Sequence, residues 1–192
     1  MTSKIVGERV PQVTWPVRVR DESIEGPNPY RWDEMSTDSV FGGRRVLVFS
    51  LPGAFTPTCS TYQVPGFEEN HSAICEMNID DIYCVSVNDS FVMNKWAQDQ
   101  AVQKIKMIPD GNGDFTDGMG MLVEKLNVGF GNRSWRYAMV VEDGVIEKMF
   151  VEPDFADNCP TDPFQSSDAD TMIAFLKGTT SSGIAKPHSF IG

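Results

Sequence analysis

Two short runs of almost unbroken apolar residues, 46–51 and 82–87, stand out along the chain, and a third at 105–108 ends at Pro109. Runs of this length are typical of strands that are covered on both faces of a parallel sheet. The pattern therefore predicts three strands near the centre of one sheet.

Helical spacing of apolar residues follows each of these strands and recurs near the end of the chain. The predicted helices run from the cap Thr56 and Pro57 through 74, from the cap Asp89 to 102, from about 115 to 126, and from the cap Ser167 over 168–176. Polar caps satisfy the first N–H groups of a helix, and proline is favoured at its first position. A kink is expected at Pro65-Gly66, and Gly178 is expected to close the last helix.

An antiparallel hairpin is predicted where the runs 135–141 and 145–151 flank Asp143-Gly144. Alternation over 13–19 predicts an edge strand, because Pro16 cannot donate to a ladder. Helices between single strands give parallel pairs, whereas the hairpin adds antiparallel strands. The expected class is therefore α/β, a mixed central sheet with helices on both faces. A thioredoxin-like fold fits this pattern, although the pattern alone does not select it over other α/β folds.

Amino-acid composition excludes some classes of partner but does not by itself indicate a function. The chain of 192 residues is 41% hydrophobic and 22% charged, which suits a single domain over 1–192. Residues from 1 to about 40 are expected to extend the fold, and 179–192 to form a tail. A net charge of −11 disfavours nucleic acid and anionic membranes as partners. No apolar segment suits a signal peptide or a bilayer span, so a soluble cytoplasmic protein is expected.

The cysteines are expected to start as thiols, because a reducing compartment disfavours structural disulfides. They are Cys59, Cys75, Cys84 and Cys159. None forms a CxxC pair, so neither a zinc knuckle nor a thioredoxin-type dithiol is indicated.

Metal-binding patterns are weak. Residues 110–121 open like a calcium loop, but they have Phe115 instead of glycine at the sixth position and Met121 instead of glutamate at the twelfth. His71 and His188 are isolated from any paired acidic cluster. No metal and no cofactor is therefore predicted.

Cys59 is the candidate nucleophile, because it is predicted to lie in the first turn of a helix that follows a buried strand and a proline turn. Unpaired N–H groups and the positive end of the helix dipole lie there, and both favour thiolate over thiol. The thiolate is the reactive form of cysteine. Thr56, three residues earlier, adds a hydroxyl.

The pattern Pro52-x-x-x-Thr56-x-x-Cys59 resembles the signature of the peroxiredoxins. The string Pro-Gly-Ala-Phe-Thr-Pro-Thr-Cys-Ser over 52–60 resembles their type-II, or five-type, subfamily. Further resemblance, running in all from roughly Arg44 to Leu176, covers 64–67, 85–93, 136–144, 162–164 and 167–172. The last two segments resemble bacterial members that are often fused to a glutaredoxin domain. The resemblance implies a thioredoxin-like fold and thiol-dependent reduction of peroxides.

The resemblance also implies a role for each matching residue. Cys59 would be the peroxidatic cysteine, which attacks the peroxide and becomes a sulfenic acid. Thr56 would hydrogen-bond the thiolate and the peroxide, and Pro52 would shield the thiolate from water. Arg136 precedes Ala-Met-Val-Val as the family's active-site arginine does, and Arg133 is the competing candidate.

A second thiol must reduce the sulfenic acid, and the sequence leaves three sources open. Cys84 matches a cysteine with a resolving role in plant type-II members, but on a buried strand it is better explained as a small apolar side chain. Cys159, in a polar loop expected to be mobile, resembles the resolving cysteine of animal members with an alignment one residue off, and a plain surface thiol is an equal alternative. The bacterial resemblance favours glutathione with a separate glutaredoxin, and thioredoxin is the alternative.

The predicted activity is the reduction of hydrogen peroxide and small alkyl hydroperoxides by a homodimer, as the resemblance implies. Two functions of other classes stay open. A non-enzymatic redox sensor or holdase would react about once per thiol and stop. A thiol–disulfide oxidoreductase is suggested by the fold alone, and the missing CxxC pair disfavours it.

Overall fold

The computed structural model describes residues 6–178, so the tail and His188 lie outside the described residues. The strands are β1 (Thr14–Arg20), β2 (Tyr30–Ser36), β3 (Arg45–Ser50), β4 (Asp81–Ser86), β5 (Lys106–Pro109), β6 (Leu122–Lys125), β7 (Gly131–Ser134), β8 (Tyr137–Glu142) and β9 (Val145–Val151). The helices are α1 (Thr37–Phe41), α2 (Val64–Cys75), α3 (Ser90–Asp99), α4 (Asp114–Gly118) and α5 (Ala169–Leu176). A π-helical segment (Cys59–Gln63) precedes α2, and a 3₁₀ turn (Leu126–Val128) follows β6.

The central sheet has the strand order β5-β4-β3-β8-β9. The three apolar runs form its parallel half, β3 with β4 and β4 with β5, while β8 and β9 add the predicted antiparallel hairpin. Because β3 pairs with β4 on one side and β8 on the other, Phe49 lies opposite both Cys84 and Ala138. The predicted mixed sheet and the thioredoxin-like fold are confirmed.

Side chains along β3 alternate between two hydrophobic clusters, as the period of a strand requires. Leu47 and Phe49 face the layer formed by the π-helical segment, α2, α3 and α5, where Phe49 stacks on Phe67 with ring centroids 4.2 Å apart. Val46 and Val48 face the opposite layer. Fully burying one side chain of this size contributes about 1.5–3 kcal/mol. Helices therefore cover both faces, as predicted.

The opposite layer includes the N-terminal part of the chain. The strand predicted over 13–19 is β1, and its partner β2 was not predicted. Trp15 of β1 packs on Phe115 of α4, which in turn stacks near Phe41 of α1. Residues 10–41 thus complete the core on one face of the sheet.

The helix predicted over 115–126 is wrong beyond its first turn. Helix α4 ends at Gly118, and Gly120 adopts a left-handed φ of 68°, which interrupts a helix. From there Val123 and Lys125 point inward in alternation, so the segment forms β6 and pairs with β7. Gly118 and Gly120 end the helix, and the alternation of buried and exposed side chains that follows is that of a strand.

The last helix begins one residue later than predicted. Asp168, and not Ser167, caps α5 by accepting a hydrogen bond from the Thr171 N–H at 2.9 Å. Gly178 closes the helix at a φ of 73°, as predicted. Within residues 6–178, no helix is both long and apolar enough to cross a bilayer.

Candidate active site

The turn between β3 and the first helical residues is held in a strained shape. Phe55 adopts a φ of 65°, which a non-glycine residue rarely does. The Thr56 hydroxyl donates to the Gly53 carbonyl at 2.7 Å, so it does not act as the predicted helix cap. The Ser60 N–H donates to the Thr56 carbonyl at 3.0 Å, so the helical turns begin here as predicted. Cys59 therefore lies in the first turns after a buried strand.

The chain around Cys59 forms a wide π-helical turn. The Val64 N–H donates to the Cys59 carbonyl five residues earlier. Pro65 has no N–H and its ring crowds the preceding turn, which explains why the predicted irregularity lies just before Pro65-Gly66. Single π-helical turns are frequent at functional sites. The turn directs the side chains of both Cys59 and Gln63 into the protein interior, where both are buried.

Arg136 lies directly before β8, and its guanidinium faces the Cys59 sulfur. Nη1 is 3.5 Å from Sγ, and the same nitrogen donates to the Gln63 side-chain carbonyl. Burial opposes a charge on Arg136, but the charges of Cys59 and Asp162 outweigh it and raise the pKa of the guanidinium above its ordinary value. The site therefore holds a permanent cation against the candidate nucleophile.

Asp162 fixes the other side of this guanidinium. Nη2 donates to both carboxylate oxygens, at 2.6 and 2.5 Å, and both side chains are buried. The Phe164 ring centroid lies 5.5 Å from the guanidinium carbon, a cation–π distance. This Asp-Pro-Phe segment resembles the family in sequence, but the sequence alone predicts no role for it. Its signal was an acidic residue between prolines in a segment without helical or strand periodicity.

Arg133, the competing arginine, supports the backbone of the site. Its Nε donates to the Phe130 carbonyl at 2.9 Å and its Nη1 to the Val87 carbonyl at 3.0 Å. A Cβ atom at Gly53 would lie only 3.2 Å from Nη1, so this glycine lets the two approach. The geometry thus favours Arg136 over Arg133 as the partner of Cys59.

Two further contacts fix the turn that carries Pro52, which is buried. Asn88 accepts a hydrogen bond from the Ala54 N–H at 2.9 Å and another from the Ser86 hydroxyl at 2.7 Å. The end of β4 therefore holds the turn that follows β3. Asn88 lies in a segment that resembles the family, but the sequence alone predicts no role for it.

Cys84 lies on β4 in the same hydrophobic cluster as Cys59. Burial raises the pKa of its thiol well above the ordinary value, and a charge on Cys59 acts in the same direction. Cys75 on α2 is half-buried, 3.7 Å from His71 Nδ1, and burial raises the pKa of this thiol too. Among residues 6–178, no three His, Cys, Asp or Glu side chains lie together as metal ligands would.

Cys159 is buried in the cluster on the opposite face of the sheet from Cys59. Its loop is tied to the 3₁₀ turn after β6, because Asn158 accepts from the Leu126 and Asn127 N–H groups at 2.8 and 3.1 Å. The Asn158 N–H also donates to the Glu124 carbonyl at 2.7 Å. The alternative of a surface thiol is therefore wrong, and a link to Cys59 would need this loop to open.

The chain is similar to known proteins over most of its length. The family model described as Redoxin matches residues 6–173. A peroxiredoxin of Synechocystis, sll1621, is 58% identical over 186 residues, covering 96% of this chain and 98% of the relative. The hybrid peroxiredoxin hyPrx5 of Haemophilus influenzae is 51% identical and covers 91% of this chain, which spans 67% of that protein.

Solved structures agree with the sequence relatives. The antioxidant protein of Plasmodium falciparum, a 1-Cys peroxiredoxin, is 41% identical with a TM-score of 0.82, over 90% of this chain and 99% of that one. Reduced Prx3 of Vibrio vulnificus in complex with hydrogen peroxide is 31% identical with a TM-score of 0.76, over 91% and 96%. This chain belongs to the peroxiredoxins, a family of thiol peroxidases, and resembles its type-II, five-type branch.

Proposed function

We propose that Cys59 is the peroxidatic cysteine and that Arg136 activates it. The observation that carries this proposal is the 3.5 Å contact between Arg136 Nη1 and the Cys59 sulfur in a fully buried setting. A cation and the start of a helix both stabilise a thiolate, which is the attacking form of cysteine. Low dielectric strengthens this interaction, because water is excluded around both groups.

The oxidative step transfers one oxygen atom from the peroxide to the sulfur of Cys59. The Cys59 thiolate attacks the terminal oxygen of a hydroperoxide, the S–O bond forms, and the O–O bond breaks. The sulfur is oxidised to a sulfenic acid, and the leaving alkoxide or hydroxide takes up a proton and departs as alcohol or water. Negative charge grows on the leaving oxygen, where fixed donors stabilise the transition state more than the ground state.

Thr56, Arg136 and Pro52 take separate parts in this step. The Thr56 hydroxyl donates to the Gly53 carbonyl in this structure, and it would exchange that bond for one to the thiolate or the bound peroxide. Arg136 holds the charge of the sulfur and then of the leaving oxygen. Pro52 is buried and keeps water away from the thiolate.

We propose hydrogen peroxide and small alkyl hydroperoxides as the substrates. The Cys59 side chain has no exposed surface, so a bulky hydroperoxide would have to displace protein before reaching it. The related Vibrio protein is described in complex with hydrogen peroxide. Comparing second-order rate constants for hydrogen peroxide, tert-butyl hydroperoxide and cumene hydroperoxide tests the proposal, which predicts that the rate falls with size.

For the reductive half we propose glutathione together with glutaredoxin. Glutathione would attack the sulfenic sulfur, releasing water and leaving a mixed disulfide, and a second glutathione thiol would free Cys59 as glutathione disulfide forms. The resemblance to bacterial glutaredoxin-fused members motivates this choice. Cys84 lies on a central strand, and Cys159 lies on the opposite face of the sheet from Cys59, so neither thiol is placed to reduce Cys59 without a rearrangement. The similarity to a 1-Cys peroxiredoxin also supports this choice. Such a reductant also fits the predicted cytoplasmic location.

Mass spectrometry after one equivalent of hydrogen peroxide tests both halves, with wild type, Cys84→Ser and Cys159→Ser. The proposal expects a sulfenic acid on Cys59 in all three, converted by glutathione into an adduct of one glutathione. A Cys59–Cys159 disulfide that is lost only in Cys159→Ser would support the thioredoxin-dependent two-cysteine alternative. A disulfide lost only in Cys84→Ser would assign the resolving role to Cys84.

We also propose that the protein forms a homodimer, as the family resemblance implies. The exposed aromatic side chains of Phe55, beside the Cys59 turn, and Phe91, at the start of α3, support it, because large apolar groups on a monomer surface favour contact. Sedimentation at micromolar concentration tests it. A single species with the mass of one chain would contradict it.

A further inference from the structure

We infer that Glu152 is a positioning residue for the active site, acting through the loop that carries Asp162. The inference rests on the proposed roles of Cys59 and Arg136. Glu152 follows β9 and is almost completely buried, with 1% of its surface exposed. A carboxylate buried this deeply needs several hydrogen-bond donors. The residues that supply these donors show which part of the protein Glu152 holds in place.

The donors of Glu152 come from three consecutive residues just before α5. Oε2 accepts from the Gln165 N–H at 2.9 Å, and Oε1 accepts from the N–H groups of Ser166 and Ser167 at 2.9 and 2.8 Å. The Ser167 hydroxyl also donates to Oε1, at 2.7 Å. Consecutive N–H groups around one anion form a nest, and hydrogen bonds to a charged acceptor are about twice as strong as neutral ones. The Glu152 side chain therefore fixes the end of this loop through four hydrogen bonds.

The backbone of Glu152 is attached to Arg136 itself. The Glu152 N–H donates to the Arg136 carbonyl at 3.1 Å, and Trp135 Nε1 donates to the Glu152 carbonyl at 2.9 Å. Glu152 is thus hydrogen-bonded through its main chain to Arg136 and through its side chain to the loop that carries Asp162. Asp162 in turn binds the Arg136 guanidinium, so Glu152, the loop and Arg136 form a closed ring of hydrogen-bonded contacts.

The helix of Cys59 joins the same ring. Gln63 accepts a hydrogen bond from Arg136, and its Nε2 donates to the Ser167 carbonyl at 3.4 Å. The segment between β9 and α5 has no regular secondary structure from which to derive rigidity. Its placement over the guanidinium therefore depends on side-chain contacts, and Glu152 supplies four of them. Without these contacts Asp162 would not hold Arg136 at one distance from the sulfur.

Single-turnover kinetics test the inference with hydrogen peroxide as oxidant and dithiothreitol as reductant. Glu152→Gln keeps the shape but turns an NH₂ group toward N–H donors, so it should slow oxidation of Cys59 by on the order of 10- to 100-fold, as a displaced catalytic group does. Reduction of the sulfenic acid, measured separately, should change less than about two-fold, because a general structural defect would slow both steps. Glu147→Gln on β9, whose carboxylate pairs with Arg45, is the matched control and should match wild type.

A double-mutant cycle decides whether Glu152 acts through Asp162. Glu152→Gln combined with Asp162→Asn should be no slower than Asp162→Asn alone. Multiplying effects, equal slowing of both steps, or a Glu152→Gln rate within two-fold of wild type would each overturn the inference while leaving the role of Cys59 intact. Peroxide consumption that survives Cys59→Ser would instead overturn the proposed function, and this inference with it.

If Glu152→Gln does not fold, Ser167→Ala carries the same test. It removes only one hydroxyl donor and leaves the three N–H bonds in place. We expect oxidation to slow by about three-fold or more, with the reductive step unchanged. A rate of oxidation equal to that of wild type would count against Glu152.

Discussion

Arg136 and Asp162 form an ion pair that solvent does not reach, with side chains 1% and 2% exposed and N···O distances of 2.6 and 2.5 Å. The same guanidinium is 3.5 Å from the Cys59 sulfur. A buried cation without a partner is very costly, so Asp162 allows Arg136 to remain charged beside the Cys59 sulfur. Stability and chemistry thus depend on one pair.

Removing the Asp162 carboxylate should destabilise the folded protein. We expect Asp162→Ala to lower the free energy of unfolding by about 3–5 kcal/mol, since it leaves a buried charge unpaired. Urea denaturation measures the change. Asp99→Ala breaks the exposed pair with Lys95 and should cost less than about 0.5 kcal/mol. Equal losses in the two variants would contradict the buried pair's importance.

The two arginines near the site should respond differently. Arg136→Gln removes the donor that faces the sulfur, and loss of one such donor costs on the order of 3 kcal/mol in barrier, or at least 100-fold in rate. Arg133→Gln removes contacts to backbone carbonyls and should slow oxidation by less than about 10-fold. Stopped-flow oxidation by hydrogen peroxide compares them. A larger loss in Arg133→Gln would reverse the assignment.

The hydroxyl of Thr56 can be tested with near-isosteric changes. Thr56→Val keeps the shape but removes the donor, and we expect oxidation of Cys59 to slow by about 100-fold. Its stability should fall by only about 1 kcal/mol, because a single neutral hydrogen bond to Gly53 is lost. Thr56→Ser is the control and should keep most of the rate. If both variants react alike, the hydroxyl has no part in the reaction.

Tyr137 on β8 gives a prediction for alkaline pH. Burial raises the pKa of its hydroxyl well above the ordinary value, and the charge of Asp110 adds to this effect. The unfolded chain releases this proton above about pH 10, whereas the folded chain keeps it, so stability is present below pH 10 and is lost above it.

The loss should approach about 1.4 kcal/mol per pH unit for wild type relative to Tyr137→Phe. Urea denaturation at pH 9, 10 and 11 measures this difference. Tyr62→Phe, which changes an exposed tyrosine, is the control and should follow wild type. Parallel stability curves for wild type and Tyr137→Phe would contradict the prediction.

Local sequence was sufficient for the central strands and for Cys59. The runs that form β3 and β4 are apolar on both faces, so a few consecutive residues are enough to predict that these strands are buried. The proline turn and Thr56-Pro57 mark the start of the helical turns in the same way. The Pro52, Thr56 and Cys59 pattern lies within eight residues, so it could be found without a structure.

What the sequence did not predict depends on distant contacts. Asp162 pairs with Arg136, which lies 26 residues earlier in the sequence. Glu152 accepts hydrogen bonds from a loop whose apolar residues show neither helical nor strand spacing. The segment of β6 contains apolar residues compatible with helix or strand, and its pairing with β7 decided between them. Cys159 lies in a polar stretch, yet it is buried, because Asn158 accepts hydrogen bonds from two N–H groups of the 3₁₀ turn after β6 and so holds the loop against the protein.

The most direct test of the central claim is the rate of hydrogen peroxide consumption with excess dithiothreitol, compared between Cys59→Ser and Cys84→Ser. Both variants change a buried cysteine of the same hydrophobic cluster, so their effects on packing are matched. We predict that Cys59→Ser consumes peroxide no faster than dithiothreitol alone, while Cys84→Ser turns over many equivalents per chain. Undiminished consumption by Cys59→Ser would contradict the account.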